Sequence, residues 1–245
     1  MLLKNGRCVK GVNFKNHRDV GHPVTNARIY EAQGADELIF LDIEANQKNR
    51  QILIRIIQTV AKECFMPFAA GGGVKSLGDI QKLLRAGADK VAINSFAVQN
   101  PKFVSVAAKK FGNQCIVVSI DYKKNKNGKN EVFIYNGTKA TGLEPGNWAK
   151  KATDLGAGEI LLTNIDREGT RSGYDLEIIK AIADSLDIPV IASGGAGSME
   201  DLKDAIKKGH ASAVSLASIL HFTDQNVIKA RNYLTTGGID VRINV

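Results

Sequence analysis

Short apolar runs alternate with amphipathic stretches along almost the whole chain. The runs are rich in β-branched residues and have the length of buried parallel strands, whereas the stretches between them place apolar residues at helical spacing. The predicted strands are residues 37–41, 66–70, 90–93, 115–120, 159–163, 189–192 and 213–216. The predicted helices are residues 49–64, 77–86, 101–111, 148–155, 176–186 and 199–208. This alternation predicts an α/β fold, and its seven strands are one short of a TIM (β/α)₈ barrel.

The first strand of such a barrel should lie before Lys4, where only residues 1–3 are present. A strand normally has about five or six residues, so strand 1 is predicted to be truncated in this sequence. An incomplete strand would leave unpaired edges on both of its neighbours. We therefore expect either that the biological chain begins upstream, by about nine residues, or that another element closes the seam between strands 8 and 1.

The two halves of the chain resemble each other at one constant spacing. Three features recur 122 residues later: segment 34–38 as 156–160, segment 67–73 as 189–195, and the pair Ser76 and Asp79 as Ser198 and Asp201. Matching segments that share one spacing indicate an internal repeat, and no linker separates the halves. We expect one domain, residues 1–245, built from two similar half-barrels.

Glycine-rich turns follow equivalent predicted strands in both halves. Residues 71–73 and 194–197 each stand between a strand and a helix that a serine is predicted to cap. Glycines let backbone N–H groups approach an anion, and a helix N-terminus adds positive potential. Polar residues follow the next strand in each half: Asn94 and Ser95 in the first, Ser218 in the second. We expect two anion cradles and an elongated substrate with a phosphate at each end; the alternative is that the glycines only form tight turns.

Candidate acid–base groups lie at predicted strand ends, where barrels carry their active face. Asp121 and Asp42 each end a predicted strand, and Lys10 lies just beyond strand 1. We predict a catalytic role for Asp121, against a structural cap on the next turn, and a structural or substrate-orienting role for Asp42. Acid–base chemistry with ring closure normally needs a second group on the other side of the reacting atoms. The repeat places that group near Leu2, which cannot titrate.

Composition narrows the class of protein. The chain has 44% hydrophobic and 24% charged residues, and it has no apolar run long enough to span a bilayer or to form a signal peptide. We therefore expect a soluble domain without a membrane partner. Many lysines behind the net charge of +8 lie in segment 123–129 or on helix faces, without an aromatic-interleaved stripe, so we expect no nucleic-acid partner. Cys8, Cys64 and Cys115 are scattered, which predicts no disulfide framework, no metal site and a cytoplasmic location.

Several motifs together resemble the cyclase subunit of imidazole glycerol phosphate synthase, over nearly the whole chain. They are GRCVKGVNF at 6–14, DEL at 36–38, LDI at 41–43, GGG at 71–73, GADKV at 87–91, INS at 93–95, GAGEILLT at 156–163, DR at 166–167, GYD at 173–175 and IASGGAG at 191–197. The resemblance implies a (β/α)₈ barrel that needs no cofactor and has a glutaminase docked at its bottom face. In that family, ammonia passes up the barrel and reacts with a bis-phosphorylated ribulosyl aminoimidazole carboxamide ribonucleotide to give imidazole glycerol phosphate.

The resemblance also implies roles for residues of this chain. Asp121 matches one of two catalytic aspartates, and Lys10, Asp42 and Thr163 match positions that contact substrate. The implied phosphate-binding residues are Gly73, Asn94, Ser95, Gly169, Gly195 and Ser218. Glu37, Lys90 and Glu159 match three of the four charged residues that control ammonia passage at the bottom of the barrel, here called the charged gate.

Three departures from the family pattern change the expected chemistry. The strand 1 motif Cys-Leu-Asp-Val-Lys, aligned on Lys4, puts the family's other catalytic aspartate on Leu2. The fourth gate residue, an arginine, would lie before Met1, and Glu168 stands where the family has aspartate. A paralogous group that has leucine at the position of Leu2 is thought to work with its own glutaminase and with an amidotransferase that modifies a surface sugar.

Three hypotheses follow from this pattern. The first is such a paralogue, an ammonia-conducting component of a sugar amidation system. The second is an authentic cyclase of histidine biosynthesis with altered acid–base chemistry. The third is a non-catalytic scaffold that activates its glutaminase.

Overall fold

The structure, a computed structural model, describes residues 1–44 and 47–242. For residues 47–50 it describes the backbone only. The predicted domain boundary at residue 245 therefore lies outside the described residues. The strands are β1 (Leu2–Lys4), β2 (Arg7–Val12), β3 (Lys15–Gly21), β4 (Leu38–Asp42), β5 (Phe68–Gly71), β6 (Lys90–Ile93), β7 (Ile116–Lys124), β8 (Asn130–Ile134), β9 (Lys139–Ala140), β10 (Glu159–Asn164), β11 (Val190–Ser193) and β12 (Ala213–Val214). The helices are α1 (Pro23–Ala32), α2 (Gln47–Glu63), α3 (Leu77–Arg85), α4 (Ser95–Gln99), α5 (Lys102–Phe111), α6 (Pro145–Asp154), α7 (Leu176–Ala183), α8 (Met199–Lys207), α9 (Ser218–His221) and α10 (Val227–Thr236).

Within the described residues, eight parallel strands follow one another in the order β1, β4, β5, β6, β7, β10, β11, β12. Helices alternate with them, so the predicted TIM (β/α)₈ architecture is confirmed. The main core lies between the strands and the helices, as the continuous apolar runs predicted. Four residues, Ala92, Val117, Leu161 and Ile191, form a second small apolar cluster inside the barrel. The strands thus bury apolar side chains on both faces.

The seam between the first and last barrel strands has no backbone ladder among the described residues. β1 pairs in parallel with β4 on one side, and β2 turns back at Asn5–Gly6 and pairs antiparallel with β1. Side chains of the last helix bridge this region instead. Arg231 on α10 donates to Asp36 Oδ1 at 2.7 Å and to the Gly34 carbonyl at 3.0 Å, in the connection between α1 and β4. The outer layer of helices therefore joins the two ends of the barrel.

Both predicted serine caps are confirmed, each as a reciprocal capping box. Ser76 Oγ accepts from the Asp79 backbone N–H at the start of α3, and Ser198 does the same with Asp201 at the start of α8. In both helices the aspartate carboxylate accepts in return from the backbone N–H of the serine. The two halves therefore begin their equivalent helices in the same way, directly after the glycine-rich turns.

The prediction that strand 5 of the barrel ends near Asp121 is wrong, because β7 continues to Lys124. Beyond the barrel it pairs antiparallel with β8, which in turn pairs with β9, so that the lysine-rich segment 123–129 lies within a hairpin. Tyr122 within this extension is buried, and its hydroxyl donates to Asp175 Oδ2 at 3.2 Å. A second hairpin, β2–β3, extends the first strand of the barrel in a similar manner. No helix in the described part of the chain is long and apolar enough to cross a membrane.

Candidate active site

A cavity of about 420 Å³ opens at the C-terminal ends of the barrel strands. Ten residues that the sequence predicted as catalytic, substrate-binding or phosphate-binding line it: Lys10, Asp42, Gly73, Asn94, Ser95, Asp121, Thr163, Gly169, Gly195 and Ser218. Their roles remain predictions, but the fold brings them to one surface from both halves of the barrel. Such concave sites at strand ends are where barrels of this kind bind ligands.

Asp121 projects from β7 into the cavity. Its Oδ2 accepts a hydrogen bond from Asn94 Nδ2 at 2.8 Å, and it lies opposite Thr163 of the neighbouring strand β10. Burial raises the pKa of the Asp121 carboxyl to about 7, while the Asn94 amide acts in the opposite direction by favouring the charged form. A carboxyl group with a pKa near neutrality is suited to exchange a proton with a bound substrate.

The strand register shows which residue occupies the equivalent place in the first half. Asp121 pairs with Thr163, whereas Leu2 pairs with Leu41, and Leu41 lies 122 residues before Thr163. Leu2 is therefore the two-fold counterpart of Asp121, and both residues line the cavity. The cavity has an acid on one side and an apolar side chain on the other.

Lys10 and Glu168 form an ion pair at the rim of the cavity. Lys10 lies on β2 and is 3% exposed, and its ammonium contacts the carboxylate of Glu168. Burial lowers the pKa of Lys10 to about 8. The pair joins the β2–β3 hairpin to the loop after β10, because the longer glutamate side chain at position 168 reaches across to the lysine.

The glycine-rich turns bring backbone close to backbone in both halves. Gly72 has φ +104, and a Cβ there would lie 2.1 Å from the Asp42 carbonyl oxygen. Gly194 has φ +89, and its Cβ would lie 2.6 Å from the equivalent Asn164 oxygen. Both positions therefore require glycine. The turns fit the shape expected of anion cradles, which are built from backbone N–H groups.

The serines beside the two cradles differ in their surroundings. Ser95 Oγ accepts from the Tyr135 backbone N–H at 3.0 Å, so the tip of the β8–β9 hairpin already engages it. Ser218 is 7% exposed, and its hydroxyl has no hydrogen-bond partner among the described residues. A buried hydroxyl that lines a cavity is free to bind a ligand oxygen. Asp42, by contrast, accepts from the Glu44 backbone N–H at 3.0 Å, which supports a structural part for it.

The three residues of the charged gate meet at the opposite end of the barrel. Lys90 Nζ lies 2.7 Å from Glu37 Oε2 and 2.6 Å from Glu159 Oε1, and all three are partly buried at strand starts. Two residues further along the same strands, Ile39, Ala92 and Leu161 line the lower part of the cavity. The cavity thus reaches down the lumen to the layer above the gate.

The barrel fold agrees with a comparison with known families. The family model described as histidine biosynthesis protein matches residues 1–226. The chain belongs to this family. Membership in the family supports the (β/α)₈ fold of the chain.

Part of the cavity wall of this member of the histidine biosynthesis family was not predicted from the sequence. Phe14, His17, Tyr135, Asn136 and His221 also line the cavity. Four of the five come from the two hairpins, which the strand–helix pattern did not predict. The turn dipeptides Asn5–Gly6, Asn127–Gly128 and Asn136–Gly137 were the available signal.

His221 illustrates a site residue that only packing reveals. Its Nδ1 lies 3.3 Å from the Tyr30 hydroxyl, and burial lowers the pKa of the imidazole to about 4. A neutral ring at this place donates or accepts hydrogen bonds but carries no charge near neutral pH. Asp121 is therefore the better proton carrier of the two at neutral pH.

Proposed function

We propose that this protein is a cyclase-type subunit of a glutamine amidotransferase complex, which receives ammonia from a glutaminase and delivers it to an anionic substrate at the barrel mouth. We further propose that it serves the amidation of a surface sugar rather than the formation of imidazole glycerol phosphate. The observation that carries the second part is the register that puts Leu2 at the counterpart of Asp121.

The cyclisation needs proton transfers on two sides of the reacting atoms, by the general logic of acid–base catalysis. Asp121 supplies one group with a pKa of about 7. Leu2 supplies none, and loss of one acid–base group typically costs about 10²–10⁴ in rate. A cyclase of histidine biosynthesis would work poorly with this pair, whereas delivery of ammonia needs only the lumen and the gate.

The charged gate supports ammonia transfer. Lys90 is held between two carboxylates at the bottom of a barrel whose lumen is otherwise apolar there. A buried charge network for stability is the alternative. The paired cradles support a substrate with two anionic groups, since each half contributes one glycine-rich turn.

An authentic cyclase is the second candidate, because Asp121 and its Asn94 bond are intact. An assay of ammonia-dependent cyclisation on the bis-phosphorylated aminoimidazole substrate separates the two. We expect the purified chain to be at least about a hundredfold slower than an authentic cyclase subunit assayed beside it. Equal rates would overturn the proposal and establish the second candidate.

The glutaminase partner needs a separate test. Phe65 lies between α2 and β5, on the bottom face, and is 93% exposed. We expect Phe65→Ser to weaken co-purification with the cognate glutaminase, since exposed aromatic residues often anchor interfaces. Phe222→Ser is the matched control, because Phe222 is 44% exposed but follows α9 near the mouth. Equal complex formation by all three proteins would exclude Phe65 as an anchor, and no complex at micromolar concentration would count against the partner.

A further inference from the structure

Two hairpin tips cover the cavity, one from each half of the barrel. The first tip, residues 12–15, joins β2 and β3, and the second tip, residues 135–138, joins β8 and β9. Phe14 of the first tip and Tyr135 and Asn136 of the second line the cavity beneath them. The tips therefore form part of the wall that separates the cavity from solvent.

Each tip is tied to the opposite half by the side-chain amide of an asparagine. Asn13 Nδ2 donates to the Ile165 carbonyl at 2.9 Å, and Asn136 Nδ2 donates to the Ile43 carbonyl at 2.7 Å. Ile43 and Ile165 are 122 residues apart, which is the spacing of the internal repeat. Each directly follows a barrel strand: Ile43 follows β4 and Ile165 follows β10. The two acceptors thus occupy equivalent positions of the repeat, whereas the two asparagines are 123 residues apart, one residue off the repeat, and the bonds run in opposite directions across the mouth.

The backbone explains why asparagine occupies both places. Asn13 has φ +50 and Asn136 has φ +55, in the left-handed region that asparagine tolerates better than most other residues. Its short side chain then carries the amide donor that reaches the opposite carbonyl. Glycine would permit the same backbone but has no donor.

The two tips also touch each other. Gly137 is buried, and a Cβ there would lie 3.4 Å from the Phe14 ring and 3.0 Å from the Ile165 side chain. The first tip is held further by its Asn13 backbone N–H, which donates to the Glu168 carbonyl at 2.8 Å. The second tip has the Tyr135 bond to Ser95. Opening one tip therefore removes packing from the other.

We propose that the two tips form one roof over the cavity, closed by the reciprocal Asn13 and Asn136 latches, and that an anionic ligand enters and leaves only when this roof opens. Asn13 and Asn136 are positioning residues, because they act through the roof and not on the reacting atoms. The inference rests on the proposed function in treating the cavity as the ligand site. It adds a coupling between the halves: each half holds the lid that the other half provides.

Replacement of each latch by glycine tests the roof without a ligand. Asn13→Gly and Asn136→Gly keep the left-handed backbone and remove only the amide. Asn16→Gly is the matched control, because Asn16 has φ +52 and is exposed but takes part in neither latch. Amide hydrogen exchange at Asn13 and Tyr135 reports opening, since both N–H groups are bonded in the closed roof.

We expect Asn136→Gly to speed exchange at Tyr135 by roughly fivefold, the factor for one hydrogen bond of about 1 kcal/mol, and to speed exchange at Asn13 to a smaller extent. Asn13→Gly removes two amide hydrogen bonds, to the Ile165 carbonyl and to the Asp166 carbonyl at 2.6 Å, but should have the weaker effect because the contacts to Glu168 still hold the first tip. The melting temperature and the control variant should stay close to those of the unchanged protein. If neither latch variant changed the exchange rate at either tip, the proposed roof would be wrong. It would also be wrong if Asn16→Gly increased the exchange rates as much as the latch variants do.

Ligand kinetics separate the roof from the proposed function. With fructose 1,6-bisphosphate as a stable bis-phosphate probe, the latch variants should release the probe several-fold faster than the unchanged protein. Unaltered release rates in variants whose tips open would show that the roof does not control access. Failure of the probe to bind the unchanged protein would count against the paired cradles, while the exchange experiment would still decide whether the latches hold the roof.

Discussion

The two halves of the barrel share their scaffold and differ in their chemistry. Both place a glycine with positive φ against a backbone carbonyl, begin the next helix with a serine–aspartate capping box, and send an asparagine to the opposite strand end. Only the second half carries an acid, Asp121, where the first half has Leu2. The repeat therefore preserves the residues that the backbone needs, whereas the acid–base pair is not required for the fold.

Alanine at the equivalent glycines should give the largest effect on stability. Gly72→Ala would push a Cβ to 2.1 Å from the Asp42 oxygen, and Gly194→Ala to 2.6 Å from the Asn164 oxygen, both with positive φ. We expect each to cost roughly 3 kcal/mol or more, with Gly72→Ala the more severe. Chemical denaturation measures both. Gly142→Ala is the control, since φ is also positive there but no atom lies within 4 Å of the added Cβ. Equal losses at all three sites would assign the cost to φ alone.

Disruption of the charged gate should give the next largest loss of stability. Lys90→Met removes the cation from between Glu37 and Glu159 and leaves two neighbouring carboxylates without it. We expect a loss of roughly 1–3 kcal/mol in the free energy of unfolding, because charged acceptors lose their partner. Lys150→Met, which breaks an exposed pair with Asp154, serves as control and should cost about 0.5 kcal/mol or less. A gate variant as stable as the control would show that the network contributes little.

Asp121, in the second half, should make the stability depend on pH between about 4 and 7. The pKa of Asp121 is raised from 3.8 to about 7 in the fold, so the folded protein binds a proton that the unfolded chain releases. The stabilising contribution of that proton is present below about pH 4 and is lost as pH rises to about 7. Asp121→Asn should remove this slope, so that the variant gains stability relative to the unchanged protein between pH 4 and 7. Parallel melting curves across that range would contradict the raised pKa.

Phosphate binding should raise the free energy of unfolding by a smaller amount, to which both halves contribute. Phosphate at about ten times its dissociation constant should stabilise the fold by about 1.4 kcal/mol. Gly73→Val and Gly195→Val should each remove part of this gain, because both glycines line the cavity and a side chain there distorts the turn: at Gly195 a Cβ would lie 2.1 Å from the Gly173 carbonyl oxygen. The gain is measured for each variant against its own melting temperature without phosphate. A melting-temperature titration with phosphate, with chloride at equal ionic strength as the control, measures the gain. Stabilisation that neither variant reduces would refute the assigned cradles.

The barrel strands and both serine caps could be predicted because they depend on local pattern. Of the ten predicted residues that line the cavity, Thr163 and Gly169 were implied only by the family resemblance. Apolar runs of strand length, a serine three residues before an aspartate, and glycines after a strand all occur within short segments. The repeat then placed equivalent residues on both sides of one mouth. The strand end at Asp121 was wrong because β7 continues into a hairpin, and the pairing with β8 lies outside the pattern of the barrel.

The roof could not be predicted for a physical reason. Asn-Gly dipeptides predict turns, but where a hairpin tip lands depends on contacts across the mouth, such as Asn136 with Ile43. The Lys10–Glu168 pair likewise joins segments far apart in the chain. A leucine in place of an acid was visible in the sequence, whereas only the strand register shows that it faces the same cavity as Asp121.

We propose that the missing acid at position 2 separates this protein from an imidazole-forming cyclase. Ammonia-dependent cyclisation should therefore be measured for the unchanged protein, for Leu2→Asp, and for Leu2→Asp combined with Asp121→Asn. We expect Leu2→Asp to increase the rate by about 10²-fold or more, and the double variant to lose this increase. A fast unchanged protein that Leu2→Asp does not improve would contradict the proposal.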